Sequence, residues 1–171
     1  MRYRPGVSGE ALQWVKPRWT KPDYELRAGD VVIARLIWPR NSPPCGEWAS
    51  GRYFFERTGW LRRRIVVHDA SAADASAPVA TLTRGDGALA YPDGRAYRWV
   101  KPQWWSAQRV WRDGADREIV RFAPHGSSST VTAQPEADYL PDTPLLLTLG
   151  QYLLIIAARE ARAAAAAAAI R

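Results

Sequence analysis

The segment ERTGWLRRRIV, residues 56–66, sets arginine beside aromatic rings at a density that suggests anion chemistry. A guanidinium presents its donors in a planar fork that matches carboxylate and phosphate oxygens. If Thr58-Gly59 is a two-residue hairpin turn, Arg57 stands opposite Trp60, Phe55 opposite Arg62 and Tyr53 opposite Arg64. One face then alternates cations with rings, and such cross-strand pairs contribute about 0.5–1 kcal/mol each at exposed sites. Arg52, Arg57, Arg62 and Arg64 are the candidate anion-binding residues, for phosphates of lipid headgroups or of nucleic acid. The same pattern also suits an outer wall that arginine stems and rings cover for stability. Arg63 points to the opposite face and belongs near a rim, or beside Glu56 or Asp69.

Other reactive side chains form no constellation. His68 and His125 are the only histidines, and no Ser-His-Asp order, HExxH, Walker loop or GxGxxG is present. HGSSST, residues 125–130, has hydroxyls without an identifiable base. Cys45 is the one cysteine; it builds neither a disulfide framework nor a zinc site, and NSPPCGEW places it in a loop. The expectation is a non-enzymatic protein with no metal site and no cofactor. Nine tryptophans could stack on bases. Several, such as Trp38 and Trp60, lie among apolar strand residues and suit a core or groove wall instead. Trp104-Trp105 would point to both faces of a strand, leaving one ring outside as a membrane-interface or partner contact.

These residues sit on a chain of 171 residues with net charge +7, which suits one domain spanning 1–171. Lys16, Lys21 and Lys101 are the only lysines; arginine supplies the other cations. A basic surface attracts nucleic acid, anionic lipid or an acidic partner. MRYRPGVSGEALQW has no apolar run of the signal-peptide kind, and with the single cysteine this suits a cytoplasmic protein. LLLTLGQYLLIIAA, Leu145 to Ala158, falls short of the roughly 20 apolar residues of a membrane span. Lengthening it means crossing Arg159, Glu160 and Arg162, so a buried helix is expected, not a transmembrane one.

Asp142 or Thr143 can cap that helix, with Pro144 in its first turn. Its apolar residues, Leu146, Leu149, Tyr152, Leu153 and Ile156 among them, cover the whole circumference, so it must be enclosed on all sides. Gly150 costs about 1 kcal/mol of helix propensity, which points to a close approach, such as a strand backbone. Glu160 offers little pairing, and 161–171 is an alanine-rich tail expected to protrude or to be disordered. Before the helix the sequence reads as short strands. Asp30–Trp38, a hairpin about Thr58-Gly59, Ala77–Arg84, turns at Pro92-Asp93-Gly94 and at Asp113-Gly114, and Ser129–Ala133 mark them. PRNSPPCGEWAS and DASAADASAP read as loops. A barrel of about twelve strands is too wide for its own side chains to fill, and a helix about 10 Å across fills it. The expected fold is therefore mainly β: a closed antiparallel barrel around a central hydrophobic C-terminal α-helix, with its core at about 14–160.

WVKPRW (Trp14–Trp19) returns as WVKPQW (Trp99–Trp104), 85 residues later. The match continues with Leu26-Arg27 on Trp111-Arg112 and Gly29 on Gly114. After a slip of one residue, Arg35-Leu36 falls on Arg121-Phe122. A duplication of half-barrels explains it, with the hexapeptides at equivalent points of two halves.

GRYFFERTGWLRRRIVV followed by PVATLTR, then GALAYPDGRAYRWV and LLLTLGQYLLIIAAR, resembles in order and wording the tubby C-terminal, phospholipid scramblase and LURP-one-related superfamily. The resemblance covers about Trp14 to Glu160. It implies the barrel-and-helix fold, and it implies binding of anionic membrane or a phosphoinositide-like ligand at a basic surface. The cysteine cluster and acidic calcium loop of the scramblases have no counterpart here. The leading expectation is a binding or scaffold domain at lipid headgroups. A nucleic-acid module using the arginine and tryptophan surface, or an enzyme with a rim pocket, are the alternatives.

Overall fold

The computed structural model describes residues 7–18, 20–59, 61, 63–72 and 76–169. Twelve antiparallel strands form a closed barrel: β1 (Leu12–Val15), β2 (Tyr24–Ala28), β3 (Val31–Ile37), β4 (Cys45–Trp48), β5 (Gly51–Thr58), β6 (Arg64–Asp69), β7 (Pro78–Thr83), β8 (Ala88–Ala90), β9 (Ala96–Val100), β10 (Arg109–Arg112), β11 (Glu118–His125) and β12 (Ser128–Ala133). Each strand pairs with its sequence neighbour, and β1 pairs with β12, so no edge is left open. A 3-10 turn at Pro135–Asp138 leads into α1 (Thr143–Ala169).

The expected architecture is present. Leu146, Leu149, Tyr152, Leu153 and Ile156 are all buried inside the wall, as the apolar circumference of the helix requires. From Leu145 to Ile156, Leu154 alone is incompletely covered. Buried polar groups of the helix have partners. Trp111 Nε1 donates to the carbonyl of Leu146 at 2.8 Å, Ser129 Oγ to Gln151 Oε1 at 2.6 Å, and Thr148 Oγ1 to the carbonyl of Pro144 at 2.9 Å. Gly150 does mark a close approach, but to side chains and not to a strand backbone. A Cβ there would meet the Phe122 ring at 2.4 Å and Trp111 Nε1 at 3.0 Å. α1 runs for 27 residues, beyond the 14 of the apolar run, because alanine propagates it past the barrel; residues 157–169 are exposed. By length and hydropathy it could cross a membrane, yet 67% of its apolar window is enclosed by the barrel.

Three sequence expectations about the wall are corrected. Cys45–Trp48 is not loop but strand β4: Gly46 faces inward, where a Cβ would stand 2.5 Å from Thr148 Cβ, and Glu47 pairs across the sheet with Arg35 and Arg52. The Thr58-Gly59 hairpin is joined by residues 59–63, so Arg64 opposes Thr58, Arg57 opposes Ile65 and Tyr53 opposes Asp69. The repeat falls on β1–β3 and β9–β11, eight strands apart in a ring of twelve, so it does not relate two halves. It is nonetheless deeper than the hexapeptide. Both copies carry a bulge at the same place, after Leu26 and after Trp111, with Ile33 and Ile119 as the extra residues. The one-residue slip is the longer turn Gly114–Asp116, which replaces Gly29-Asp30.

Candidate functional site

The arginines of the β5–β6 hairpin do not share a face. Arg52 lies on the outer wall and bonds Glu47. Arg57, two residues beyond the buried Phe55, points inward at the barrel end, where its Nη2 donates to Glu160 Oε1 at 2.7 Å. Arg64 is exposed between Thr58 and Thr83 and has no carboxylate partner among the described residues. Arg62 and Trp60 lie outside the described residues. Arg63 is exposed at the rim, and its carbonyl accepts the Arg84 N–H at 2.8 Å. Trp104 and Trp105 stand in the loop after β9 and not in a strand; both rings are exposed, edge to face at 5.4 Å. Cys45 is 3% exposed, and burial pushes its thiol up.

Glu160, expected to pair little, is the hub of the helix exit. Arg57 reaches it from β5, and Arg84, just after β7, grips it with Nη1 at 3.0 Å and Nη2 at 2.6 Å. The hydrogen bond from Arg84 is the main cause holding its carboxyl below the ordinary value. Trp38 packs on Tyr152 at 5.1 Å and carries the Arg159 guanidinium over its ring at 4.1 Å. Together these groups fix the helix where it leaves the wall.

Because the strands alternate in direction, every second loop lies at the same end. The loops at the exit end, 16–23, 38–44, 59–63, 84–87, 101–108 and 126–127, carry Lys16, Arg18, Lys21, Arg40, Arg63, Arg84 and Lys101 against Asp23 and Asp86 among the described residues. The loops at the opposite end, where the helix begins, carry Asp30, Asp93, Asp113, Asp116, Glu136, Asp138 and Asp142 against Arg95 and Arg117 among the described residues. The barrel is therefore a charge dipole along its axis, with all three lysines, Trp104, Trp105 and the exposed Leu61 at the cationic end.

At the anionic end a hollow of about 650 Å³ is lined by Asp69, Asp93, Asp142, Arg95 and Tyr91. Asp142 is 6% exposed and holds Arg95 Nη1 at 2.6 Å and the Tyr97 hydroxyl at 2.9 Å. Burial, reinforced by Asp142, pushes the Tyr91 and Tyr97 hydroxyls up, so both remain neutral. The cluster ties the start of the helix to β9. Among the described residues no group of His, Cys, Asp and Glu is arranged to hold a metal. No family model, curated protein or solved structure matches the chain.

Proposed function

We propose that this protein is a non-enzymatic binding domain that docks end-on upon an anionic membrane surface through its helix-exit end. The separation of charge along the barrel axis carries this reading. Each Lys or Arg held near an anionic leaflet contributes about 1 kcal/mol, and indole rings favour the headgroup layer. Trp104 and Trp105 stand exposed among Lys16, Lys21 and Lys101 at that end, which supplies both contributions. The hairpin wall proposed from sequence is poorer, since Arg52 and Arg57 already hold carboxylates. The order of parts, a barrel and then an enclosed helix, supports a tubby-like assignment as part of the same proposal.

Co-sedimentation at physiological salt with phosphatidylcholine vesicles, with and without phosphatidylserine, tests it. Binding is expected only with phosphatidylserine. Lys16→Glu, Lys21→Glu and Lys101→Glu together should weaken it by at least about 100-fold, at about 1 kcal/mol per lysine removed. Trp104→Ala with Trp105→Ala should weaken it further, and Arg52→Glu should leave it unchanged. Equal binding to neutral vesicles, or indifference to the lysine reversal, overturns the reading. So does a preference for single-stranded DNA, on whose bases the two rings could stack.

A further inference from the structure

Three arginines point inward at the exit rim. Arg57 and Arg84 meet Glu160. Arg109, which opposes the buried Phe122 across β10 and β11, lies on another side of the helix and has no carboxylate partner among the described residues. Its one side-chain hydrogen bond among them runs from Nη1 to the carbonyl of Gln108 at 3.2 Å. Burial works against its charge, yet a guanidinium does not lose its proton in a protein. A half-buried cation without a counter-ion is a vacancy for an anion.

Arg109 stands between two hollows beside the emerging helix. One, of about 330 Å³, is lined by Lys16, Arg162, Tyr24, Leu154 and the Gly126-Ser127 turn, with no carboxylate in its wall among the described residues. The other, of about 390 Å³, shares Trp99, Leu153 and Ala157 and adds Lys101 and Arg84, but it also carries the Asp86 carboxylate, so the first hollow is the one that suits an anion. Leu154, the incompletely covered residue of the enclosed helix, faces the first hollow. An unpaired cation and an uncovered apolar flank thus occur side by side. Both volumes fall in the range of small-molecule sites.

We propose that this hollow holds one anionic amphiphile as a monomer, its phosphate or carboxylate head on Arg109 and Lys16 and its tail along Leu153 and Leu154. The inference rests on the same exit end as the docking proposal, but its test uses no bilayer, so either can fail alone. Calorimetric titrations would use decyl phosphate and decanoate below their micelle concentrations, with inorganic phosphate and decyl maltoside as controls. The expected result is one-to-one binding of an anionic decyl compound, the better of the two distinguishing a phosphate head from a carboxylate head. Affinity should rise by about fourfold per methylene along a chain-length series. Arg109→Gln should weaken binding at least tenfold with an unchanged unfolding midpoint. Ala157→Glu, which keeps helix propensity and puts a carboxylate in the hollow, should abolish it. Decyl maltoside binding as tightly as the anions, inorganic phosphate binding as tightly as decyl phosphate, or indifference to both variants overturns the proposal.

Discussion

At the scale of single residues, two glycines mark how closely helix and wall are fitted. Gly46 on β4 admits Thr148, and Gly150 on the helix admits the Phe122 ring. Propensity alone would favour alanine at position 150 by about 1 kcal/mol. Phe122 is fully buried, so its ring has nowhere to retreat from a new methyl group. Overpacking of this kind costs about 1–3 kcal/mol. Gly150→Ala should therefore lower stability by about 1 kcal/mol net, and by no more than about 2, in urea unfolding, and adding Phe122→Leu should recover part of the loss. A Gly150→Ala variant as stable as the parent would show that the ring can shift. Arg109 belongs to the same scale: its lack of a carboxylate is visible only when Arg57 and Arg84 are seen to share Glu160.

At the scale of elements, the exit of α1 is latched by Glu160 to β5 and to the loop after β7. The folded carboxyl titrates below its ordinary value, chiefly through the Arg84 hydrogen bond. Its contribution is thus complete above the unfolded pKa and is lost as pH falls through the folded one. Glu160 is 45% exposed, so solvent screening keeps the effect of Glu160→Gln to about 1 kcal/mol or less. The parent should lose this increment in acid, and the difference between parent and variant should close there, as parallel unfolding curves across pH would show. The helix and its enclosure were legible in the sequence because an apolar circumference admits one solution. Strand β4 was not. CGEW has no apolar alternation, follows two prolines, and owes its place to a glycine that touches Thr148. In an antiparallel wall, one strand more or less exchanges the ends at which every later loop lies. The charge dipole depends on β4, because that strand decides at which end the loops after it lie. The hairpin pairing failed for a similar reason: the 59–63 connection shifts Arg64 from Tyr53 to Thr58.

At the scale of the whole molecule, wall and filling are one cooperative body. The buried side chains of α1 and those of the strands form a single cluster, from Leu12 and Trp14 through Phe122 to Ile156. Helical far-ultraviolet signal and tryptophan fluorescence should vanish at the same denaturant concentration, as one transition. A chain ending at Gln134 should not fold, whereas one ending at Glu160 should keep the parent's midpoint. Survival of a folded barrel without α1 would mean that the wall closes on itself. The charge dipole is also a property of this scale. It places cations and indoles at one end while the anionic end faces away, so docking should be oriented and should weaken as salt rises.

Closing the ring by β1 against β12 sets an order of events during synthesis. At the usual 5–20 residues per second, about six to twenty-four seconds pass between the first strand and its seam partner. Throughout that interval β1 offers an unpaired edge, and the residues that will line the lumen have no helix to cover them. The eleven pairs of neighbouring strands can close as they emerge, but the seam cannot, so a slow or stalled ribosome lengthens the time for which the edge of β1 stays bare.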